Sequence, residues 1–255
     1  MVDELMHILR EKNVLAHENS GVMICRVADK GTGFGLALDL LYKIVDKRTV
    51  FYLSGGKTPK ELYKKLAREE EVMPGAVGLI DERYGGRFHA KSNESMIRES
   101  GLLRYLEIVA IPFYPILGGG ASREEMAAMY DERLRLLQST YSKHVGILGI
   151  GADGHTAGIP AGDLELTLSA GRQGIYDSNS FVIGYDDGGK YGERVTMSFL
   201  GLSMLDILLV LVFGKEKREA LELVFSEGRE EDVPGRFFKR PEIAKRTLLI
   251  TDQEV

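Results

Sequence analysis

Short apolar runs alternate along the chain with longer segments whose apolar residues recur at helical spacing. Several short runs are apolar at consecutive positions, which is typical of strands that are buried on both faces of a sheet. The pattern predicts strands at residues 22–28, 49–53, 77–80, 108–114, 144–150, 181–185, 194–199, 207–213 and 247–251. Because strands and helices alternate, we predict an α/β fold with a mostly parallel sheet flanked by helices.

Two helix starts are marked by side chains that can cap backbone N–H groups. Thr58, Pro59 and Glu61 supply a capping Thr, a Pro at the first helical position and a Glu in the first turn. Ser122 and Glu125 have the spacing of a capping box. The second helix carries an apolar stripe that predicts a packed scaffold helix, formed by Met126, Tyr130, Leu134 and Leu137.

The chain shows neither an internal repeat nor a Pro/Ser-rich linker, so we expect a single domain over residues 1–255. Glycines punctuate it at several places, and the Gly-rich segment 184–192 is predicted to be a mobile loop.

Composition limits the classes of partner. Hydrophobic residues make up 44% of the chain, charged residues 28%, and the net charge of −5 is spread in mixed sign. This balance argues against nucleic acid or an anionic membrane surface as the main partner. The single cysteine, Cys25, lies in an apolar run and is predicted to be buried. The longest apolar run is far too short to span a bilayer and no secretory pattern opens the chain, so we expect a cytoplasmic protein. The sequence leaves the oligomeric state open.

A glycine-rich turn follows the strand predicted at 49–53 and opens a helix. Its glycines allow a ligand close to the backbone, and a helix N-terminus presents free N–H groups that attract anions. The turn is predicted to bind phosphate through Ser54, Gly55, Gly56, Lys57 and Thr58. It lacks the Walker A pattern, and the alternative is a plain strand–helix turn.

Charged residues follow the next strand. Asp81, Glu82 and Arg83 come at the carboxyl end of the strand predicted at 77–80, where α/β sheets bind ligands. The alternative is a solvated loop with ion pairs. Asn93 follows in a segment with the pattern of a helix cap, which is its simpler role.

Residues 149–156 contain Gly-x-Gly-x-x-Gly after the strand predicted at 144–150. A dinucleotide site is weakly supported, because that motif should run directly into an apolar helix and here His155 and Thr156 follow the third glycine. Asp153 and His155 are instead held by glycines at a strand end. Histidine titrates near neutral pH and suits general-base catalysis, although a lone histidine is more often structural.

A fourth segment, Lys215 to Lys217, follows the strand predicted at 207–213 and places two amines near the same sheet edge. Lysine is a common phosphate partner, and the alternative is a solvated basic turn. The sequence shows no metal-ligand constellation, so we predict no metal. It also lacks the Gly-x-Ser-x-Gly elbow of a serine nucleophile. We predict no cofactor.

Six segments, in this order, resemble the 6-phosphogluconolactonase family and its relative, the glucosamine-6-phosphate deaminase/isomerase family. They are residues 53–59, 81–83, 92–93, 148–157, 194–196 and 214–217. The resemblance implies a modified Rossmann-like sheet without a nucleotide, and a phosphorylated sugar as the small-molecule substrate.

The resemblance also implies roles for individual residues. The loop at 54–58 and Lys217 would bind the substrate phosphate, with Arg194 nearby, and Asn93 belongs to the matching substrate-binding segments. His155 would be the general base that acts on water.

Three further residues complete the expected catalytic set. Arg83 would contact the ligand or the developing oxyanion. We expect Asp153 to orient the imidazole or raise its pKa, although a structural role in the turn is also open. Asp81 would be the carboxylate base if the protein were an isomerase.

Specific residues favour the lactonase over its relative. Thr156 follows the lactonase pattern, Arg83 stands where the relative has Tyr, and the relative's ring-opening Glu is missing. Three segments depart from lactonases. Residues 158–160 are one residue shorter than the usual Ser-Leu-Phe-Pro, residues 188–192 replace the usual Pro-Lys-Pro-Pro, and residues 84–86 resemble the relative's loop. We therefore predict a 6-phosphogluconolactonase of the pentose phosphate pathway. A sugar-phosphate isomerase or deaminase and a non-catalytic sugar-phosphate sensor remain the alternatives.

Overall fold

The computed structural model describes residues 2–11, 14–118, 121–162 and 179–255. Its strands are β1 (Ala16–Asn19), β2 (Val22–Arg26), β3 (Thr49–Leu53), β4 (Ala76–Leu79), β5 (Asp81–Arg83), β6 (Phe113–Tyr114), β7 (Lys143–Leu148), β8 (Val182–Asp186), β9 (Glu193–Met197), β10 (Ile207–Val212) and β11 (Thr247–Thr251). Its helices are α1 (Val2–Glu11), α2 (Lys30–Ile44), α3 (Lys57–Glu69), α4 (Asn93–Glu99), α5 (Leu102–Ile108), α6 (Arg123–Thr140), α7 (Phe199–Ser203), α8 (Arg218–Phe225) and α9 (Pro241–Ala244). Short 3-10 helices span Lys215–Lys217 and Pro234–Lys239.

Eight strands form a sheet in the order β1-β2-β11-β10-β7-β3-β4-β6, in which only the β1–β2 pair is antiparallel. Every residue of β3, β10 and β11 is buried, as the consecutive apolar runs predict. The predicted α/β class with a mostly parallel sheet is confirmed. The assignment of the whole chain to one domain stays a prediction.

The sequence reasoning did not anticipate a second sheet. The strands predicted at 181–185 and 194–199 form β8 and β9, which pair with β5 in a separate antiparallel sheet of order β5-β9-β8. Ile80 connects the two sheets: its N–H donates to the Leu53 carbonyl, and its own carbonyl accepts from the Met197 N–H. The charged residues at 81–83 thus form a strand of their own.

The strand predicted at 108–114 is wrong for most of its length. Its first residue ends α5, and only Phe113–Tyr114 is strand. The apolar run therefore begins in a helix, and α5 buries Leu102, Leu103 and Leu106 on its packed face. Ala110 then adopts the left-handed conformation with φ 55°, which ends the helical path.

Of the two predicted helix starts, one is confirmed and one is displaced. Ser122 and Glu125 form the predicted capping box at the start of α6. Helix α3, however, begins at Lys57 with Gly56 as its N-cap, so Thr58 lies inside the first turn and does not cap it. Gly56 has φ 112°, a conformation that Thr adopts only with strain.

The predicted loop 184–192 starts later than expected. Gly184 lies within β8, and the connection to β9 is the shorter segment 187–192 of a hairpin. Its mobility stays a prediction.

Buried apolar side chains form one continuous cluster, which includes Cys25. Burial raises the pKa of this thiol to about 12, in line with the prediction of a buried cysteine. Within the described ranges, no helix is both long and apolar enough to cross a membrane.

Tyr130 of α6 completes the sheet where an edge strand stops. Strand β6 pairs only with Val77 and Gly78, so the next residue of β4, Leu79, has no strand beside it on that side. The Tyr130 hydroxyl accepts from the Leu79 N–H at 2.6 Å and donates to the Leu79 carbonyl at 2.9 Å. This contact fixes the end of β4 two residues before Asp81.

We predict that Tyr130→Phe lowers the free energy of unfolding by about 1–3 kcal/mol, because it leaves a buried N–H and carbonyl unpaired. Urea denaturation measures the change. Tyr141→Phe is the control, since the half-buried Tyr141 hydroxyl makes a single hydrogen bond within the described part of the chain, to the Gly75 carbonyl at 3.1 Å. Equal losses in the two variants would contradict the role of Tyr130.

Candidate active site

One pocket of about 400 Å³ lies at the carboxyl ends of four adjacent parallel strands, β10, β7, β3 and β4. This is the edge where parallel sheets bind ligands. The predicted site residues that line the pocket are residues 54–58, Asp81, Arg83, His155, Arg194 and Lys217. The structure therefore brings most of the predicted site together.

The loop after β3 combines free donors with a close backbone approach. The Ser54 hydroxyl is buried and has no hydrogen-bond partner among the described residues. No described side chain caps the start of α3 either, so the first N–H groups of this 13-residue helix are free to bind an anion. The arrangement is compatible with the predicted phosphate loop.

Asn93 lies behind this loop and is not among the described residues that line the pocket. Its side-chain amide donates to the Asp81 carbonyl at 2.9 Å, and it is 1% exposed. A Cβ on Gly55 would lie 1.9 Å from the Asn93 Oδ1. Asn93 thus supports the loop at 54–58 in this structure, and a part for it in substrate binding stays a prediction. Ser92 forms the predicted helix cap.

Glu82, which we did not count among the site residues, anchors the Asp-Glu-Arg segment. Its buried carboxylate accepts from the Ser92 hydroxyl and from the N–H groups of Arg83, Asn93 and Glu94. Burial raises the pKa of Glu82, and these hydrogen bonds partly offset the rise. The carboxylate therefore ties β5 to the start of α4 and fixes the residues on either side of it.

Two arginines and an aspartate enter the pocket from the small sheet. The register of β5 and β9 places Arg83 opposite Arg194. Arg194 Nη1 lies 4.0 Å from Asp81 Oδ2, and Arg194 Nε donates to the Tyr191 carbonyl at 2.8 Å. Arg83 Nη1 donates to the Lys91 carbonyl at 2.8 Å, whereas Arg83 Nε is unpaired within the described part of the chain.

His155 and Asp153 form a directly hydrogen-bonded pair. Asp153 Oδ1 lies 2.5 Å from His155 Nδ1 and accepts the His155 N–H at 3.3 Å. The imidazole packs so closely on Gly151 that a Cβ there would lie 2.0 Å from the ring. Because the carboxylate accepts a hydrogen bond from Nδ1–H, the neutral ring keeps a lone pair on Nε2 that can accept a proton. The sequence prediction of an oriented histidine agrees with this geometry.

Asp153 has two further partners that sequence reasoning missed. Lys190 Nζ and the Tyr191 hydroxyl, both from the β8–β9 connection, donate to Asp153 Oδ2. Burial alone would raise the pKa of Asp153, but the hydrogen bonds from His155, Lys190 and Tyr191 outweigh it and hold the pKa well below the usual range. The only sequence signal was the departure from the family pattern at residues 188–192.

Lys217 comes from the 3-10 turn after β10. Its Nζ donates to the Ile150 carbonyl at 2.7 Å, and its burial lowers its pKa. The lysine is thus held at the pocket wall beside the His155 loop. Among the residues that the structure describes, no three His, Cys, Asp or Glu side chains are grouped as metal ligands.

Comparison with known proteins gives consistent sequence matches. A sequence model of the family described as Glucosamine-6-phosphate isomerases/6-phosphogluconolactonase matches residues 38–248. The 6-phosphogluconolactonase of Xylella fastidiosa is 30% identical over 199 residues, which cover 77% of this chain and 80% of the relative. That of Synechocystis is 31% identical over 200 residues, covering 73% and 76%.

Solved structures are similar in fold. The 6-phosphogluconolactonase from Plasmodium vivax matches with a TM-score of 0.73 and 16% identity, covering 100% of this chain and 96% of that one. The Shewanella baltica 6-phosphogluconolactonase matches with a TM-score of 0.70 and 19% identity, covering 89% and 96%.

We predict that Gly55→Ala disrupts the loop at 54–58, because the added methyl group collides with the buried Asn93 amide. The variant should lose about 1–3 kcal/mol of unfolding free energy, as overpacked sites do. We also expect inorganic phosphate to raise the melting temperature of the wild type and not that of the variant. Gly86→Ala is the matched control, since nothing lies within 4 Å of its added Cβ. An unchanged phosphate effect in Gly55→Ala would contradict the assignment of the loop.

Proposed function

The chain belongs to the glucosamine-6-phosphate isomerase/6-phosphogluconolactonase family, and on this premise we propose that it hydrolyses 6-phosphogluconolactone to 6-phosphogluconate. This is a reaction of the pentose phosphate pathway. The observation that carries the proposal is His155, which is hydrogen-bonded to Asp153 and lines one pocket together with the start of α3 and several cationic side chains.

In the proposed complex, the substrate phosphate binds the N–H groups and hydroxyls of the loop at 54–58. Lys217 and Arg194 line the same pocket and add positive charge. Such a cradle suits a phosphate dianion, because helix N-terminal amides and charged donors act together on its oxygens. Binding at the phosphate would place the lactone ring over the remaining pocket surface, which includes His155.

The proposed reaction begins with a water molecule that His155 activates. His155 Nε2 takes a proton from the water as its oxygen attacks C1 of the lactone. The tetrahedral intermediate then collapses, the bond from C1 to the ring oxygen breaks, and the imidazolium returns its proton to that oxygen. Asp153 stabilises the imidazolium between the two steps. Lactone and water are thereby converted to the hydroxy acid, and His155 ends in its starting state.

Charge develops on the carbonyl oxygen in the tetrahedral intermediate and needs a donor. Arg83 lines the pocket and has a buried Nε without a partner in the described residues, so it is the proposed oxyanion donor, together with nearby backbone amides. One such donor is worth roughly 3–4 kcal/mol of transition-state stabilisation. The proposed steps use water and the chain's own side chains, without a metal ion.

Asp81 supports a second candidate, a sugar-phosphate isomerase or deaminase, because a carboxylate in the pocket can move a proton between C1 and C2. Arg194 Nη1 lies 4.0 Å from Asp81 Oδ2 in this pocket. Deuterium from solvent would then appear at C2 of the product. A sugar-phosphate sensor, in contrast, would gain thermal stability with ligand and turn nothing over.

We predict that His155→Gln lowers the rate of lactone hydrolysis at pH 7 by roughly 100- to 10,000-fold, the usual contribution of a general base. The assay follows freshly made 6-phosphogluconolactone above its spontaneous hydrolysis. His7→Gln is the control, because the His7 side chain is 73% exposed. The His155 variant should still be stabilised by 6-phosphogluconate, since the phosphate loop is untouched.

Equal rates in wild type and His155→Gln would contradict the assigned base. Hydrolysis by the folded wild type at only the spontaneous rate would contradict the lactonase itself. Stabilisation by 6-phosphogluconate would then favour a sensor, and deuterium at C2 of glucosamine 6-phosphate would favour the isomerase.

A further inference from the structure

The connection between β8 and β9 contacts the carboxylate of Asp153 at the oxygen that His155 leaves free. His155 holds one oxygen of the Asp153 carboxylate, and Lys190 and Tyr191 hold the other. We propose that Lys190 and Tyr191 are positioning residues that act through Asp153 to keep the His155 imidazole neutral, and hence able to accept a proton, at neutral pH. The inference rests on the proposed function, in which His155 is the base.

The hairpin tip is built to hold Tyr191 in place. The Asp187 carboxylate accepts the N–H groups of Gly189, Tyr191 and Gly192 at 3.1, 3.1 and 2.5 Å. Arg194 Nε fixes the Tyr191 carbonyl from the next strand. A carboxylate that gathers three backbone N–H groups fixes the path of the turn. The tyrosine is therefore presented to Asp153 by an organised backbone.

Tyr191 also packs against the histidine itself. The two rings meet edge to face, with centroids 5.4 Å apart and an interplanar angle of 79°. Burial and the hydrogen bond to Asp153 raise the pKa of Tyr191 to about 12, so its hydroxyl remains a donor at neutral pH. The hydroxyl and the ring thus restrain both members of the pair.

Charge explains why the pair needs these extra donors. Asp153 Oδ1 lies 2.5 Å from His155 Nδ1. A negative carboxylate beside an imidazole stabilises the imidazolium form, which has no lone pair with which to accept a proton from water. The Lys190 ammonium balances the Asp153 charge, and the Tyr191 hydroxyl draws electron density from the same oxygen. Both contacts reduce the stabilisation of the imidazolium and leave the orientation of the ring unchanged.

Other charged groups around the pocket remain when the hairpin is altered. Lys217 approaches from the turn after β10, Arg194 from β9, and Arg83 and Asp81 from β5. Lys57 lies at the start of α3, on the same pocket. Because a Lys190 or Tyr191 variant leaves these groups in place, a change in imidazole protonation can be assigned to the hairpin.

The first test is the pH dependence of kcat/KM in Tyr191→Phe and in Lys190→Met. Loss of either donor makes Asp153 a stronger partner for the imidazolium. The acid limb of the profile should therefore move to higher pH by about 0.5–1 unit, and activity at pH 6 should fall roughly 3- to 10-fold. Activity on the alkaline plateau should change much less. The Lys190 side chain is 71% exposed, so Lys190→Met is expected to fold.

Matched controls separate this role from a general loss of charge or hydroxyl. Lys245→Met removes one exposed positive charge elsewhere, and Tyr141→Phe removes a hydroxyl that contacts Gly75. Neither should move the acid limb. Acid limbs of Tyr191→Phe and Lys190→Met that superimpose on the wild-type limb would overturn the proposal, and so would a uniform loss of activity at all pH values.

The second test reads the imidazole without turnover. NMR spectra of the His155 ring nitrogens, assigned with His155→Gln, follow ring protonation across the pH range. The imidazolium should persist to higher pH in both hairpin variants than in the wild type. An unchanged titration would overturn the positioning role even in a protein that hydrolyses the lactone. A shifted titration in a protein that does not hydrolyse it would leave the coupling standing and reject only the lactonase.

Discussion

The hydrogen bond between Asp153 and His155 is the interaction on which the arrangement of the site depends, and the surrounding chain is shaped to permit it. The two residues are separated only by Gly154, which adopts φ 82° and donates its N–H to the Gly151 carbonyl at 3.0 Å. The imidazole then rests on Gly151, where any side chain would collide with it. Glycine is required at both positions because the loop turns back on itself directly after a buried strand. Farther along the chain, the N–H of Gly235 secures the Gly154 carbonyl at 2.8 Å.

The two sheets contribute different groups to the lining of the pocket. The parallel sheet supplies strand ends, helix N-termini and the histidine loop, which suit an anion and a general base. The antiparallel sheet supplies Asp81, Arg83 and Arg194, together with the hairpin that holds Asp153. Ile80 joins the sheets by hydrogen bonding to both, and Tyr130 fixes the strand end immediately before it. The hairpin therefore contacts Asp153 from a different sheet than the one that supplies the loop at 54–58.

Besides the parallel sheet, local patterns indicated where the loop at 54–58, the Asp153–His155 pair and Lys217 lie, while the roles of these residues stay predictions. Each of these is a short glycine-containing segment that follows a buried strand, and both the glycines and the apolar run can be read from neighbouring residues. The missed features depend on distant pairing. Nothing near Lys190 or Tyr191 in the sequence indicates a contact with Asp153, some 37 and 38 residues away. The close packing of Gly55 against Asn93 is another long-range contact that the local sequence does not indicate.

A crystal structure of the protein with bound 6-phosphogluconate is the sharpest test of the proposed binding mode, because it locates both ends of the ligand at once. We expect the phosphate to bind the amides of residues 54–58, with Lys217 beside it. The C1 carboxylate should lie within hydrogen-bonding distance of His155 Nε2. A ligand bound in the reverse orientation, or one whose C1 carboxylate lies away from His155, would contradict it.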